Sequence, residues 1–258
     1  MNVLHFATPD HKKAAFRLLA VCFVWLTAIG MAQAQRPPDT SEGEIAMLPK
    51  YCVDTMGFGY GDAYTNTSPK AGYWLGLMGK SFWAMHHHCF GLIKLRRATS
   101  GLVSAQARLG YLQGAVGEFE YVLRNAKPDF IMLPEVNLRL GDTLVQLKNY
   151  GAAQTAYDRA IRQNPNFAPP YARWAEVQEK IGNKKGALAF LEEGLRHAPA
   201  SAELLAQYRR MGGNADVFLK SLPRQAEVSA SAPEAEPSKA NPAPAPAPAD
   251  PAVPAVSR

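Results

Sequence analysis

The densest chemistry in this chain lies in Trp83-Ala-Met-His86-His87-His88-Cys89-Phe90-Gly91, read together with Tyr51-Cys52 upstream. Cysteines and histidines at that density suit a disulfide, a metal site or haem attachment. Haem attachment needs Cys-x-x-Cys-His, which the sequence lacks. For a metal, adjacent histidines on a helix point about 100° apart, and none of the three has a histidine partner at i+4, the spacing at which two helical histidines share a zinc. At most one or two of them could join Cys52 and Cys89 as ligands. In the disulfide reading, Cys52 and Cys89 tie an N-terminal segment to the helix that carries the histidines. The disulfide and the metal site remain the two competing chemistries at this point.

The compartment bears on the choice. Lys12, Lys13 and Arg17 precede an uncharged apolar run from Leu18 to Met31, followed by Ala32-Gln33-Ala34. Basic start, apolar middle and small-x-small end form the pattern of a secretory signal. The run is about 14 residues, short of the roughly 20 that span a bilayer. Residues 1–34 are therefore expected to be a cleaved signal peptide, leaving no stable membrane span. Cys22 sits inside the run after Val21, where a lipidation signal would have a small residue, so it is expected to leave with the leader. Removing three Lys/Arg and one Asp takes the charge from +6 to +4. Two cysteines remain, and in an oxidising compartment an even count favours the disulfide Cys52–Cys89.

Other chemistries are hard to place. The chain has no Gly-x-Ser-x-Gly, no phosphate-binding Gly-x-x-x-x-Gly-Lys loop and no His-Glu-x-x-His. Gly57-Phe-Gly-Tyr-Gly61 is glycine-rich but leads into another loop, without the helix N-terminus that a phosphate site requires. We expect no enzyme, no catalytic residues and no cofactor. The modest positive charge is not gathered into a basic stripe, which argues against nucleic acid. One of the three histidines is expected to be buried beside the Gly-aromatic loop and hydrogen-bonded. Another, His88, is read as lining a candidate ligand pocket with Tyr73, Trp74 and Trp83, a set suited to stacking on a sugar or a peptide.

The elements that position these groups follow from periodicity. From Gly57 to Gly79, glycine and aromatic density reads as a long irregular loop. Short helical turns are expected between Glu44 and Thr55, broken at Pro49. Ser81 opens a helix to about Ala98, with Cys89 on the face of Phe82 and Met85. Helices are expected over Leu102–Gln113 and Val116–Asn125. Beyond these, Gly141, Ala153, Tyr157, Ala160 and Pro165 recur 34 residues later as Ala175, Ala187, Leu191, Gly194 and Pro199. Small residues at those points let helices approach closely, and the prolines end each second helix.

This 34-residue pattern over 134–201 resembles the tetratricopeptide repeat family. The resemblance implies an all-α fold: a helical-hairpin solenoid of about three helical pairs plus a capping helix, with an irregular Gly/aromatic-rich N-terminal module. Residues 98–130 read as a degenerate first repeat, and Ala202–Met211 as the cap. The domain reading is signal peptide 1–34, loop-and-helix module 35–98, solenoid 99–222, and a disordered Pro/Ala-rich tail 223–258. The Tyr-Cys and His-His-x-Cys-aromatic-Gly-Leu segments are also similar to segments preceding the repeats in exported bacterial members of the family.

Members of the family bind partners on a groove lined by the first helix of each pair. In this sequence the resemblance puts Glu135, Arg139, Asp142 and Gln146 there, followed by Arg173, Glu176, Glu179 and Lys180. A carboxylate-clamping groove would carry Lys and Asn where Leu138/Asp142 and Ala172/Glu176 stand, so that specificity is not implied. Arg139 and Arg173, one repeat apart, are expected side by side. Neither is demanded by the packing pattern, so charge reversal at both is expected to spare the fold. The implied function is a protein-interaction scaffold in the bacterial periplasm, with partners in the cell envelope. The alternative is a small-ligand or metal-binding protein using the His86–His88, Cys52 and Cys89 region.

Overall fold

The computed structural model describes residues 40–55, 58 and 68–223. The expected signal peptide and all but the first residue of the Pro/Ala tail lie outside the described residues. So do residues 57 and 59–67 of the loop read from Gly57 to Gly79. Among the described residues every regular element is helical. A short helix α1 (Glu42–Ala46) and a 3₁₀ turn (Lys50–Asp54) flank Pro49. Then come α2 (Ala71–Met78), a second 3₁₀ stretch (Gly79–Ala84), α3 (Met85–Thr99) and α4 (Ala105–Asn125). The remainder is α5 (Leu133–Gln146), α6 (Tyr150–Gln163), α7 (Pro169–Lys180), α8 (Lys184–His197), α9 (Ala202–Arg210) and α10 (Ala215–Ser221).

Three antiparallel pairs, α3/α4, α5/α6 and α7/α8, stack in order, and α9 closes the last against α8 and α7. The first helices α3, α5, α7 and α9 touch their successors directly and form one layer, while α4, α6 and α8 form the other. This is the all-α helical-hairpin solenoid, three pairs plus a cap, that the repeat reading implies.

Local signals explain the boundaries. Ser104, Asn149, Asn183 and Ser201 cap α4, α6, α8 and α9 through their side-chain oxygens, each satisfying a backbone N–H that the helix leaves free. Pro165 and Pro199 follow the ends of α6 and α8. The turns within the second and third pairs need a left-handed residue, supplied by Lys148 (φ 59°) and Gly182 (φ 84°), one repeat apart.

Three expectations change. The helices read as Leu102–Gln113 and Val116–Asn125 are one helix of 21 residues, and its partner is α3. The first repeat is therefore α3/α4, not residues 98–130. Packing overrides the low helix propensity of Gly114: a Cβ there would lie 3.2 Å from the stem of Lys94 on α3, so glycine serves the close approach. The second change is α2, which forms inside the stretch read as irregular. Trp74 anchors it by donating Nε1–H to Asp54 at 2.7 Å, while Leu75 and Met78 pack on the core. Third, Ser81 does not cap α3. Its hydroxyl accepts from the backbone N–H of Lys127 at 3.0 Å, and the α-helix proper starts at Met85.

Candidate functional site: the inner face of the first helices

The close approach of paired helices fixes the register of the inner face. A Cβ on Gly141 would stand 2.5 Å from the ring of Tyr157, and one on Gly91 would stand 2.6 Å from the ring of Phe119. Gly91 on α3 thus occupies the place of Gly141 on α5 and Ala175 on α7. Two residues earlier on each helix stand Cys89, Arg139 and Arg173, which share one position on successive first helices. The cysteine of the first repeat sits where its neighbours present arginine.

Cys89 is bonded to Cys52, with Cα atoms 5.7 Å apart, and both residues are fully buried. The bond lays the 3₁₀ turn Lys50–Asp54 on α3. Glu44 clasps Arg97 through both carboxylate oxygens, at 2.7 Å from Nε and 3.0 Å from Nη2. That hydrogen-bonded guanidinium holds Glu44 down to a pKa of about 2. Asp54 accepts from the Ser68 hydroxyl and the Trp74 indole, each at 2.7 Å. Tyr51 is buried with its ring edge-on to Trp74. Burial raises its pKa, and the charge of Glu135 on α5 adds to this. The chain's own N-terminal segment therefore fills the first-repeat end of the inner face.

Beyond that segment the face opens into a recess of about 310 Å³. Asp142, Gln146, Arg173, Glu176 and Lys180 all line it, with Leu95 and Thr99 of α3 at one side and Tyr157 at its floor. The structure thus brings together five of the eight groove residues read from the sequence. Of the other three, Glu179 pairs with Arg210 at 2.7 Å, while Arg139 stands beside the recess and braces it, with Nε 2.7 Å from Glu135 and Nη1 3.5 Å from Asp142. Arg173 reaches Asp142 from the other side at 3.8 Å and Glu176 at 3.7 Å. The phenol of Tyr157 donates to Asp142 at 3.0 Å. Burial raises the Asp142 pKa, against the opposing pull of Arg139, Tyr157 and Arg173. Arg139 and Arg173 do lie side by side, but they flank a shared, partly buried carboxylate, so Arg139 in particular is not idle in the fold.

The three histidines have different partners. His86 bonds the Trp83 carbonyl through Nδ1 at 2.8 Å, and burial beside His87 lowers its pKa to about 4. His87 is buried, bonded through Nδ1 to Glu118 at 2.7 Å and stacked on Tyr121 at 3.5 Å. It is buried and hydrogen-bonded, as expected of one histidine, but the residues that bond and cover it, Glu118 and Tyr121, belong to α4 and not to the Gly-aromatic loop. Lys94 completes a three-residue network on Glu118. Burial works to raise the Glu118 pKa, but the bonds from His87 and Lys94 outweigh it and hold the carboxyl below its ordinary value. His88 is fully buried between Tyr51 and Phe119, and neither ring nitrogen finds a hydrogen-bond partner among the described residues. Burial, with Arg139 nearby, lowers its pKa to about 3.

With both sulfurs in the disulfide, no group of three or more potential metal ligands forms among the described residues, although the His86 and His87 rings lie 4.2 Å apart. The candidate ligand pocket divides. Tyr73 and Trp74 line an apolar recess of about 660 Å³ with Ile45, Leu48 and Val53. Trp83 packs against Phe82, and His88 is sealed in the core, so neither joins it.

Sequence reasoning missed the first repeat and with it the shared position of Cys89, Arg139 and Arg173. The signal was present in Gly91 and Phe119, a glycine–aromatic pair spaced more widely than Gly141 and Tyr157. Residues 134–167 match the family model described as tetratricopeptide repeat, which takes in nearly all of α5 and all of α6. No curated protein matches the chain.

Proposed function

We propose that this tetratricopeptide-repeat solenoid is a protein-interaction scaffold exported to the bacterial periplasm, and that it takes a segment of an envelope protein on the inner face of its second and third pairs. The observation that carries the reading is the convergence of Asp142, Gln146, Arg173, Glu176 and Lys180 on one open recess. Stacked helical pairs expose such a continuous face to an extended or helical segment. Because the disulfide-held N-terminal segment fills the first-repeat end, partners engage Arg173, Glu176 and Lys180. Arg173 is well suited to this: its two ion pairs are long and it is 41% exposed, so an incoming carboxylate can recruit it at little cost.

Export is supported by the basic, apolar and small-residue succession of residues 1–34, and by a disulfide of the kind that persists in oxidising compartments. The similarity of the Tyr-Cys and His-His-x-Cys segments to those of exported bacterial repeat proteins belongs to the same reading.

The test is a photo-crosslinking residue placed at Glu176 or Lys180 in cells, with Gln154 on the outer helix α6 as control. A discrete crosslinked species from the recess positions, lost on Arg173→Glu and absent from Gln154, supports the scaffold. Equal labelling from both faces, or none from either, removes it.

A further inference from the structure

The apolar side of the N-terminal module points to a site that the scaffold does not use. Helix α2, Ala-Gly-Tyr-Trp-Leu-Gly-Leu-Met, buries only Ala71 fully. Gly72, Tyr73, Gly76 and Leu77 are all exposed, and their i, i+1, i+4, i+5 spacing places them on one face. Tyr73 is 62% and Leu77 51% exposed, and Met47 beyond α1 is 58% exposed. A solvent face on a soluble helix is ordinarily polar. This one has no charged side chain over its eight residues. Beside it lies the apolar recess of Ile45, Leu48, Val53, Tyr73 and Trp74.

The solvent-exposed charges around this face are mostly positive. Lys50 and Lys70 line the recess together with Asp54, Lys80 follows the end of α2, and all three lysines are exposed. None of them forms an ion pair among the described residues. The described carboxylates of the module are Glu42, Glu44 and Asp54. Glu44 is held by Arg97, and Asp54 is buried and takes hydrogen bonds from Ser68 and Trp74. Only Glu42 stays open to solvent against three lysines.

We propose that this face docks on an anionic bilayer surface. Tyr73, Leu77 and Met47 enter the headgroup–acyl boundary, and Lys50, Lys70 and Lys80 meet the lipid phosphates. An apolar helix face with aromatic and leucine side chains and lysines at its rim is the chemistry of interfacial association. Eight residues are too few to span the membrane, so α2 lies along it. The proposal stands apart from the recess of Arg173 and holds whether or not that recess takes a partner.

The experiment follows hydrogen–deuterium exchange of the full chain with vesicles of phosphatidylcholine, with and without phosphatidylglycerol. The expected result is slowed exchange over residues 71–80 with phosphatidylglycerol only, reversed by high salt. Lys50→Glu with Lys70→Glu weakens the effect about tenfold or more. Tyr73→Ser with Leu77→Ser abolishes it while leaving the exposed lysines in place. Because the readout is local to 71–80, capture through residues 1–34 does not register. Unchanged exchange there with either vesicle overturns the proposal. So does protection that appears without vesicles as protein concentration rises, which assigns the face to a second copy. Equal protection by both lipids removes the role of the lysines and overturns it as well.

Discussion

Gly91 and Phe119 meet as Gly141 and Tyr157 do, with room for no Cβ between helix and ring. Phe119 is fully buried and has nowhere to retreat. Gly91→Ala is therefore expected to destabilise the protein by about 1–3 kcal/mol, the usual cost of overpacking. Gly110 lies on the same hairpin with nothing within 4 Å of its absent Cβ, and Gly110→Ala is expected to gain about 0.5–1 kcal/mol by stiffening α4. Chemical denaturation of the two variants checks both signs. Equal effects would mean that the α3/α4 pair is not packed as a repeat.

The disulfide gives a second prediction. It closes a loop across 37 residues of sequence, which on the chain-entropy model contributes about 4 kcal/mol. Cys89→Ser should lower the melting temperature markedly under oxidising conditions, and reduced wild type should melt close to the variant. Thiol titration of the unfolded, unreduced chain should find only Cys22, and none once residues 1–34 are removed. Two further thiols in that assay would disprove the bond.

These contacts show what could be read from the sequence and what could not. The second and third pairs were legible because their landmarks repeat at 34 residues, each tied to a close approach or a helix end. The first pair was not, because its helices run 15 and 21 residues against 14 and 14 in the second. Gly91 and Phe119 are thereby pushed 28 apart, while Gly141 and Tyr157 are 16 apart, and the register is lost. The recess residues were legible from repeat position. The fate of His88 was not, since nothing in a run of three histidines says which one a neighbouring segment will seal.

That burial makes the protein acid-sensitive. His88 and His86 have folded pKa values of about 3 and about 4, below the ordinary 6.5. Below pH 6.5 the unfolded chain binds protons at these sites and the folded chain does not, so stability falls as pH drops from about 6.5 toward 3. His88→Leu places at this position the residue found at Leu138, its equivalent on α5. It removes a buried ring without hydrogen bonds, and is expected to raise stability at neutral pH by about 1 kcal/mol or more and to flatten the acid limb. Melting curves across pH 3–8 check this. A variant less stable than wild type at pH 7 would show that the imidazole is needed where it sits.

Arg139 and Arg173 share a repeat position, yet their surroundings divide their roles. Arg139 is the more buried, 33% exposed, and it bonds Glu135 closely while touching Asp142. Reversing its charge would bring a third carboxylate up to that pair beside a largely buried Asp142. Arg139→Glu should therefore destabilise the protein by more than the roughly 0.5 kcal/mol typical of surface changes. Arg173 is 41% exposed and bonded only at 3.7 and 3.8 Å, so Arg173→Ala should stay within that figure while weakening partner capture at the recess. The expectation that both arginines can be reversed without cost to the fold is therefore replaced by one for neutral truncation of the outer arginine alone. Denaturation curves of the two single variants decide the matter. If Arg139→Glu proves neutral and Arg173→Ala unfolds the protein, the brace on Asp142 comes from the third pair, and the recess is part of the fold and not a surface left free for a partner.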